Sequence, residues 1–245
     1  MRNVKIFSTT FLIFVLVYII WAYSEVGKYP EKIWAHRCDT IEKWEAASIL
    51  YPNAEVDIVL RSNGILDITH DQDKTFGVTL EDYFKQNSLH GNHLWLDIKN
   101  LTPETANFAV NQLDSLCNKH KISKSQLIVE SSCEEALQAF TLNGGYYTSY
   151  YIPMGEDPSV FNEMEIANLI SNLQRIIDEK KTKAISFPIE WYDIIHTHIN
   201  RDIDLLTWSH KTSQWTFMLI PKYRRILNDT QVKVILVNRR SFYKT

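Results

Sequence analysis

From Glu31 onward, short apolar runs rich in β-branched residues alternate with longer amphipathic stretches. The runs Lys32–His36, Ala54–Leu60, His93–Ile98, Gln126–Glu130, Tyr146–Tyr151, Ala184–Phe187, Asp204–Trp208 and Val232–Val237 read as strands. Between them, Thr40–Leu50, Leu80–Gln86, Pro103–His120, Glu134–Leu142, Glu163–Lys181, Ile189–Ile199 and Gln214–Leu227 carry the spacing of helices. Such alternation predicts βαβ units and a parallel sheet. Eight strands without an intervening linker predict a closed (β/α)8 barrel of the TIM type, α/β in class, as one domain over residues 31–240. No G-x-G-x-x-G or G-x-x-x-x-G-K motif follows a strand, which disfavours an open nucleotide-binding sheet. Asn63-Gly64 predicts a tight hairpin that folds the second strand back and returns His70 toward the residues it left.

The first 24 residues follow another pattern. Arg2 and Lys5 precede the apolar run Phe11–Ala22, and no acidic residue occurs before Glu25. A basic start followed by an apolar stretch predicts export. Two outcomes stay open: cleavage as a signal peptide at the small-x-small site Ala22-Tyr23-Ser24, or retention as a membrane anchor. In either case the positive-inside rule puts the barrel outside the cytoplasm, secreted or membrane-tethered.

The chain has 245 residues, a formal net charge of -3 and no basic stripe. A nucleic-acid partner is therefore not expected, because backbone binding requires clustered Lys and Arg. Three cysteines, Cys38, Cys117 and Cys133, form no C-x-x-C pair and are expected to be buried small residues.

The chemistry concentrates in the first half. Along Ala54–Ile58 side chains alternate, so Glu55 and Asp57 share one face and Ala54, Val56 and Ile58 the other. In a barrel that sends two carboxylates inward. Buried together, they call for a positive charge between them, and oxygen donors suit one divalent cation, Mg2+ or Ca2+. Asp97 and Lys99 repeat the pattern on the third run, while His36-Arg37 and His70-Asp71 end others. Barrel active sites are built at these strand ends. Arg37, Lys99 and a divalent ion against three carboxylates leave a small positive balance, which suits a singly charged phosphodiester. Two histidines supply groups that titrate near neutral pH.

In this order, His36-Arg37, Glu55-x-Asp57, His70-Asp71 and Asp97-Ile98-Lys99 resemble the H-R, E-x-D, H-D and [ED]-x-K series of the PLC-like phosphodiesterase superfamily, whose glycerophosphodiester phosphodiesterase branch is best known. The resemblance implies metal binding by Glu55, Asp57 and Asp97, acid–base work by His36 and His70, and phosphate contacts from Arg37 and Lys99. It implies a small phosphodiester or lysolipid substrate. Cys38 stands where that family has glycine, and the E-N-T that follows is missing. Asp97 in place of Glu resembles the sphingomyelinase D branch, and "WAHR" and "LWLDIKNL" resemble menorin-like members. These departures keep a second reading open, a catalytically silent metal-binding barrel acting as a binding module, and a third, an inert scaffold. Glu130 ends a strand and could face the mouth, but it is left out of the site because Glu134 and Glu135 nearby suggest ordinary helix N-terminal acids; Trp208 is assigned to the barrel interior, and His210 to no ligand cluster.

Overall fold

The computed structural model describes residues 2–86, 91–155, 157–199 and 202–238, with the side chains of 2–9 outside the description. Residues 239–240 of the sequence-drawn barrel, and the Arg2 and Lys5 side chains, therefore fall outside the described parts.

Among the described residues nine strands form, β1 (Ile33–Ala35), β2 (Ala54–Leu60), β3 (Leu66–Ile68), β4 (Leu94–Ile98), β5 (Leu127–Ser131), β6 (Tyr147–Tyr151), β7 (Ala184–Pro188), β8 (Asp204–Ser209) and β9 (Val232–Val237). All but β3 run parallel, and β1 pairs with both β2 and β9, which closes an eight-stranded barrel. The short β3 lies antiparallel on β2, with Ile58 opposite Ile68. This is the hairpin that Asn63-Gly64 predicts. The α-helices of the described residues are α1 (Arg2–Val26), α2 (Ile41–Ser48), α3 (Leu80–Lys85), α4 (Pro103–His120), α5 (Glu134–Gln138), α6 (Glu163–Asp178), α7 (Tyr192–His198), α8 (Gln214–Leu219) and α9 (Pro221–Asn228).

Several helix starts are set by side-chain caps. Thr40, Thr79, Thr102 and Asn162 each accept a hydrogen bond from the backbone N–H three residues on, which satisfies a donor that the first turn leaves free. Two predicted helices need correction. The stretch Gln214–Leu227 is two helices because Pro221 lacks an N–H and disfavours helical backbone at Ile220, which is extended. The stretch Glu134–Leu142 widens into a π-type turn over Ala139–Gly144 and stops at Gly145, φ +67°.

Strand alternation sorts the side chains. Ala54, Val56, Ile58, Leu96 and Val129 join the large apolar layer under the helices. Trp34, Trp95, Ile128, Leu206, Trp208 and Val234 fill the barrel interior. Cys38 and Cys117 are buried thiols. Among the described residues no helix is long and apolar enough to cross a membrane.

Gly64 has φ +87°, and a Cβ there would meet the Gln112 side chain and the Phe108 ring at 3.0 Å. Gly64→Ala is therefore expected to destabilise the fold by about 1–3 kcal/mol, from left-handed strain plus crowding. Urea unfolding checks this; an unchanged midpoint would contradict it.

Candidate functional site

The functional side chains are delivered by strand register. Asp57 lies opposite Asp97, and Glu55 opposite Trp95. The carboxylates therefore form a layer beside the buried indole of Trp95, out of bulk water. One oxygen from each of Glu55, Asp57 and Asp97 lies within 4.8 Å of the others. Lys99 Nζ stands 2.7 Å from Asp57 Oδ1 and also donates to Asp97 Oδ2.

His36 leaves β1 and donates its backbone N–H to Val237 O at 3.1 Å, so β9 holds it. Arg37 then adopts φ +55°, left-handed for a bulky residue. That turn lets the Arg37 N–H donate to Glu55 Oε2 at 2.7 Å, and backbone strain of this kind is a recurrent feature of functional sites. Its Nε lies 3.8 Å from Asp57 Oδ2, while the side chain stays 42% exposed toward the mouth. His70 returns on the hairpin arm: Thr69 N–H donates to Asp57 O at 3.0 Å. Its ring Nδ1 is 3.0 Å from Asp71 Oδ1, and it is half exposed.

All seven residues singled out in the sequence, His36, Arg37, Glu55, Asp57, His70, Asp97 and Lys99, line one cavity of about 90 Å³. Glu130, Tyr151, Trp208 and His210 complete much of its wall. The His36 ring stacks on His210, centroids 5.1 Å apart and 11° from parallel. Trp208 packs against His210 at 5.1 Å and Tyr151 at 6.1 Å.

The electrostatics are divided. Burial, helped by His210 and Arg37, lowers the His36 pKa to about 3, so its imidazole is neutral at working pH. Burial, with Asp57 and Asp39 adding repulsion, pushes the Glu55 carboxyl well above the usual carboxylate range. Burial also raises Asp97, against the opposing pull of Lys99. At Asp57 burial pushes the same way, but the Lys99 ammonium and Arg37 outweigh it and hold the group ionised. Asp57 Oδ2 accepts no hydrogen bond. A buried carboxylate oxygen without a donor, in a set of three carboxylates, fits a hard divalent cation held by Glu55, Asp57 and Asp97.

No family model matches the chain, and no curated protein does. Solved structures do. One is a glycerophosphodiester phosphodiesterase from Parabacteroides distasonis, 19% identical, covering 84% of this chain and 91% of that one, TM-score 0.57. Another is an Oleispira antarctica phosphodiesterase in complex with its product sn-glycerol-3-phosphate, 14% identical over 84% of this chain and 92% of that one, TM-score 0.54. The barrel is the one these phosphodiesterases share.

Four residues at the site escape the motif reading. Glu130, left out of the site by the sequence reading, lies in register with Asp97 and lines the cavity. His210 follows Leu206 and Trp208 at two-residue steps, so strand parity places it inward just past β8. Trp208 is interior, as read, and also a cavity wall. Asp39 accepts the Asp57 N–H at 3.0 Å and is raised to about pKa 6 by burial and by Asp57. Parity along β5 is the signal for Glu130, and parity carried one residue past β8 is the signal for His210; nothing local marks Asp39.

Burial, with Asp97 beside it, pushes Glu130 well above the carboxylate range. A carboxyl with a raised folded-state pKa contributes stability fully present below its unfolded pKa, about 4.3, and lost as pH climbs through the folded value. Glu130→Gln keeps that position neutral throughout. In chelator, the variant is expected to melt above wild type at pH 8 and close to it at pH 4.5. An equal or lower melting temperature at pH 8 would contradict the assignment.

Proposed function

We propose that the chain is a divalent-metal-dependent phosphodiesterase acting on a glycerophosphodiester or lysophospholipid-type substrate. The supporting observation is the meeting of two histidines, two cations and three carboxylates in one small cavity at the strand ends of a barrel shared with phosphodiesterases. A divalent ion held by Glu55, Asp57 and Asp97 would supply Lewis-acid polarisation of a phosphoryl oxygen and charge stabilisation.

The protein side of the chemistry follows from the site. Arg37, partly exposed at the mouth, and Lys99, deeper, orient the phosphate. His36, neutral and enclosed by His210 and Trp208, is suited to take the proton of the attacking oxygen, whether water or a neighbouring substrate hydroxyl. His70 is placed to donate a proton from Nε2 to the leaving oxygen, with Asp71 accepting from Nδ1. The Asp71 carboxylate, lowered to about pKa 2 by its bonds to His70 and Lys74, stays ionised to do so.

The same reading takes the chain as exported, with the apolar leading segment directing it and tethering the barrel outside the cytoplasm where it is retained. One observation favours the alternative of a silent metal-binding barrel: Lys99 already pairs with two of the carboxylates. Phosphorus NMR of the full chain with a panel of glycerophosphodiesters and lysophospholipids, in Mg2+, Ca2+ or chelator, separates the two. Metal-dependent appearance of a monoester or cyclic phosphate supports the enzyme. No product on any substrate, with metal still bound, moves the function to the binding module.

A further inference from the structure

Helix α1 is not a free-standing tail. Ala22 is 0% and Val26 3% exposed, both within the main core. Tyr18 Oη donates to Leu219 O at 2.9 Å. The buried Arg224 guanidinium lies 4.0 Å from the Trp21 ring centroid and 5.2 Å from that of Tyr18, while donating to Met218 O at 2.6 Å. Cleavage at Ala22-Tyr23-Ser24 would strip these contacts from the α8–α9 flank.

The contacts also give α1 a direction. Just beyond its C-terminal end, Tyr29 Oη donates to Asn228 Oδ1 at 2.8 Å. Asn228 closes α9 just before β9 starts, so this end sits at the floor, where the strands begin. Higher up, Tyr18 meets the last residue of α8, and α8 starts shortly after β8 ends, at the mouth. From Val26 to Tyr18 the helix climbs ~12 Å toward the mouth, and Phe11–Val17 carry it further the same way at ~1.5 Å per residue.

That upper segment is apolar around its whole circumference. Phe11, Leu12, Ile13 and Phe14 are all exposed, and four consecutive helical residues point in directions ~100° apart. A protein groove would need one apolar stripe; a helix apolar on every side fits lipid. Trp215, 61% exposed in the first turn of α8, and Met164, exposed in the first turn of α6, add apolar surface on the mouth side.

We infer that α1 is retained and embeds its Phe11–Val17 segment in a lipid bilayer with the active-site mouth facing that bilayer, so the phosphodiester it takes is one carried by a lipid in the facing leaflet. The substrate part rests on the phosphodiesterase reading; the orientation does not.

The test uses the full chain reconstituted in phosphatidylcholine vesicles, with Cys133→Ser removing the one half-buried thiol. An environment-sensitive fluorophore is attached at one of four exposed positions: Trp215→Cys and Met164→Cys on the mouth side, Ile49→Cys and Leu142→Cys on the floor side. Nitroxide-bearing lipids are expected to quench the mouth-side labels at least threefold more than the floor-side labels. Equal quenching at all four, stronger quenching on the floor side, or quenching at Trp215→Cys alone would overturn the orientation. Turnover of vesicle-borne lysophospholipid and of a soluble glycerophosphodiester is followed in the same samples. Preference for the soluble diester would overturn the lipid substrate. Oriented labels with no turnover of either would remove the phosphodiesterase reading and support the orientation alone.

Discussion

Replacing His36 with alanine is expected to lower phosphodiester turnover by a factor of about 10²–10⁴, the usual contribution of a positioned acid–base group. The expectation rests on the position of this ring, which lines the cavity with the three carboxylates and lies 3.7 Å from Glu55 Oε2. Its removal leaves the attacking oxygen without an acceptor. The loss should fall on kcat, with KM little changed, because Arg37 and Lys99 still hold the phosphate. The fold should survive, since the buried His36 ring lines a cavity and its removal leaves no ion pair of full charges broken. Steady-state kinetics and a melting curve on the same preparation check both halves. A variant that melts as wild type and turns over as wild type would remove His36 from the chemistry.

The second large effect concerns Lys99. Its ammonium is the cation nearest the three carboxylates, 2.7 Å from an Asp57 whose side chain is only 2% exposed. Removing one partner of a buried ion pair costs about 3–5 kcal/mol, because the other charge is left unpaired. Lys99→Met is thus expected to destabilise the metal-free protein by about 3 kcal/mol, roughly 6–12 °C in Tm for a domain of this size. A divalent cation should restore more stability to the variant than it adds to wild type, since it then supplies the missing positive charge. At a hundred times its Kd an ion adds about 2.7 kcal/mol. Differential scanning fluorimetry with Mg2+, Ca2+ and chelator reads this directly. A variant destabilised without any metal rescue would mark Lys99 and the carboxylates as a structural ion-pair cluster.

Much of this was legible in the chain because a barrel strand writes its two faces into alternate letters. The A-E-V-D-I run of β2 put its acids inward and its apolar residues under the helices, and β4 repeated the rule with Asp97 and Lys99. The Asn63-Gly64 turn announced the hairpin that brings His70 back. The failures have equally local causes. Glu130 obeys the same parity as Asp97 on the neighbouring strand, but the acids at the start of the following helix made it look like one more of their kind. His210 lies just beyond the last hydrogen-bonded residue of β8, where parity persists although the strand has ended. Pro221 splits a helix whose apolar spacing runs through it. Asp39 acts through one backbone hydrogen bond to the neighbouring strand β2, a contact that no sequence period encodes.

The most direct measurement of the central claim is a titration of Mg2+ or Ca2+ into the metal-free full chain, with phosphodiester hydrolysis followed in the same cell. Activity is expected to rise saturably with the ion, to vanish in chelator, and to be lost together with ion binding in Asp97→Asn. Hydrolysis that persists unchanged in chelator, or in Asp97→Asn, would contradict the account.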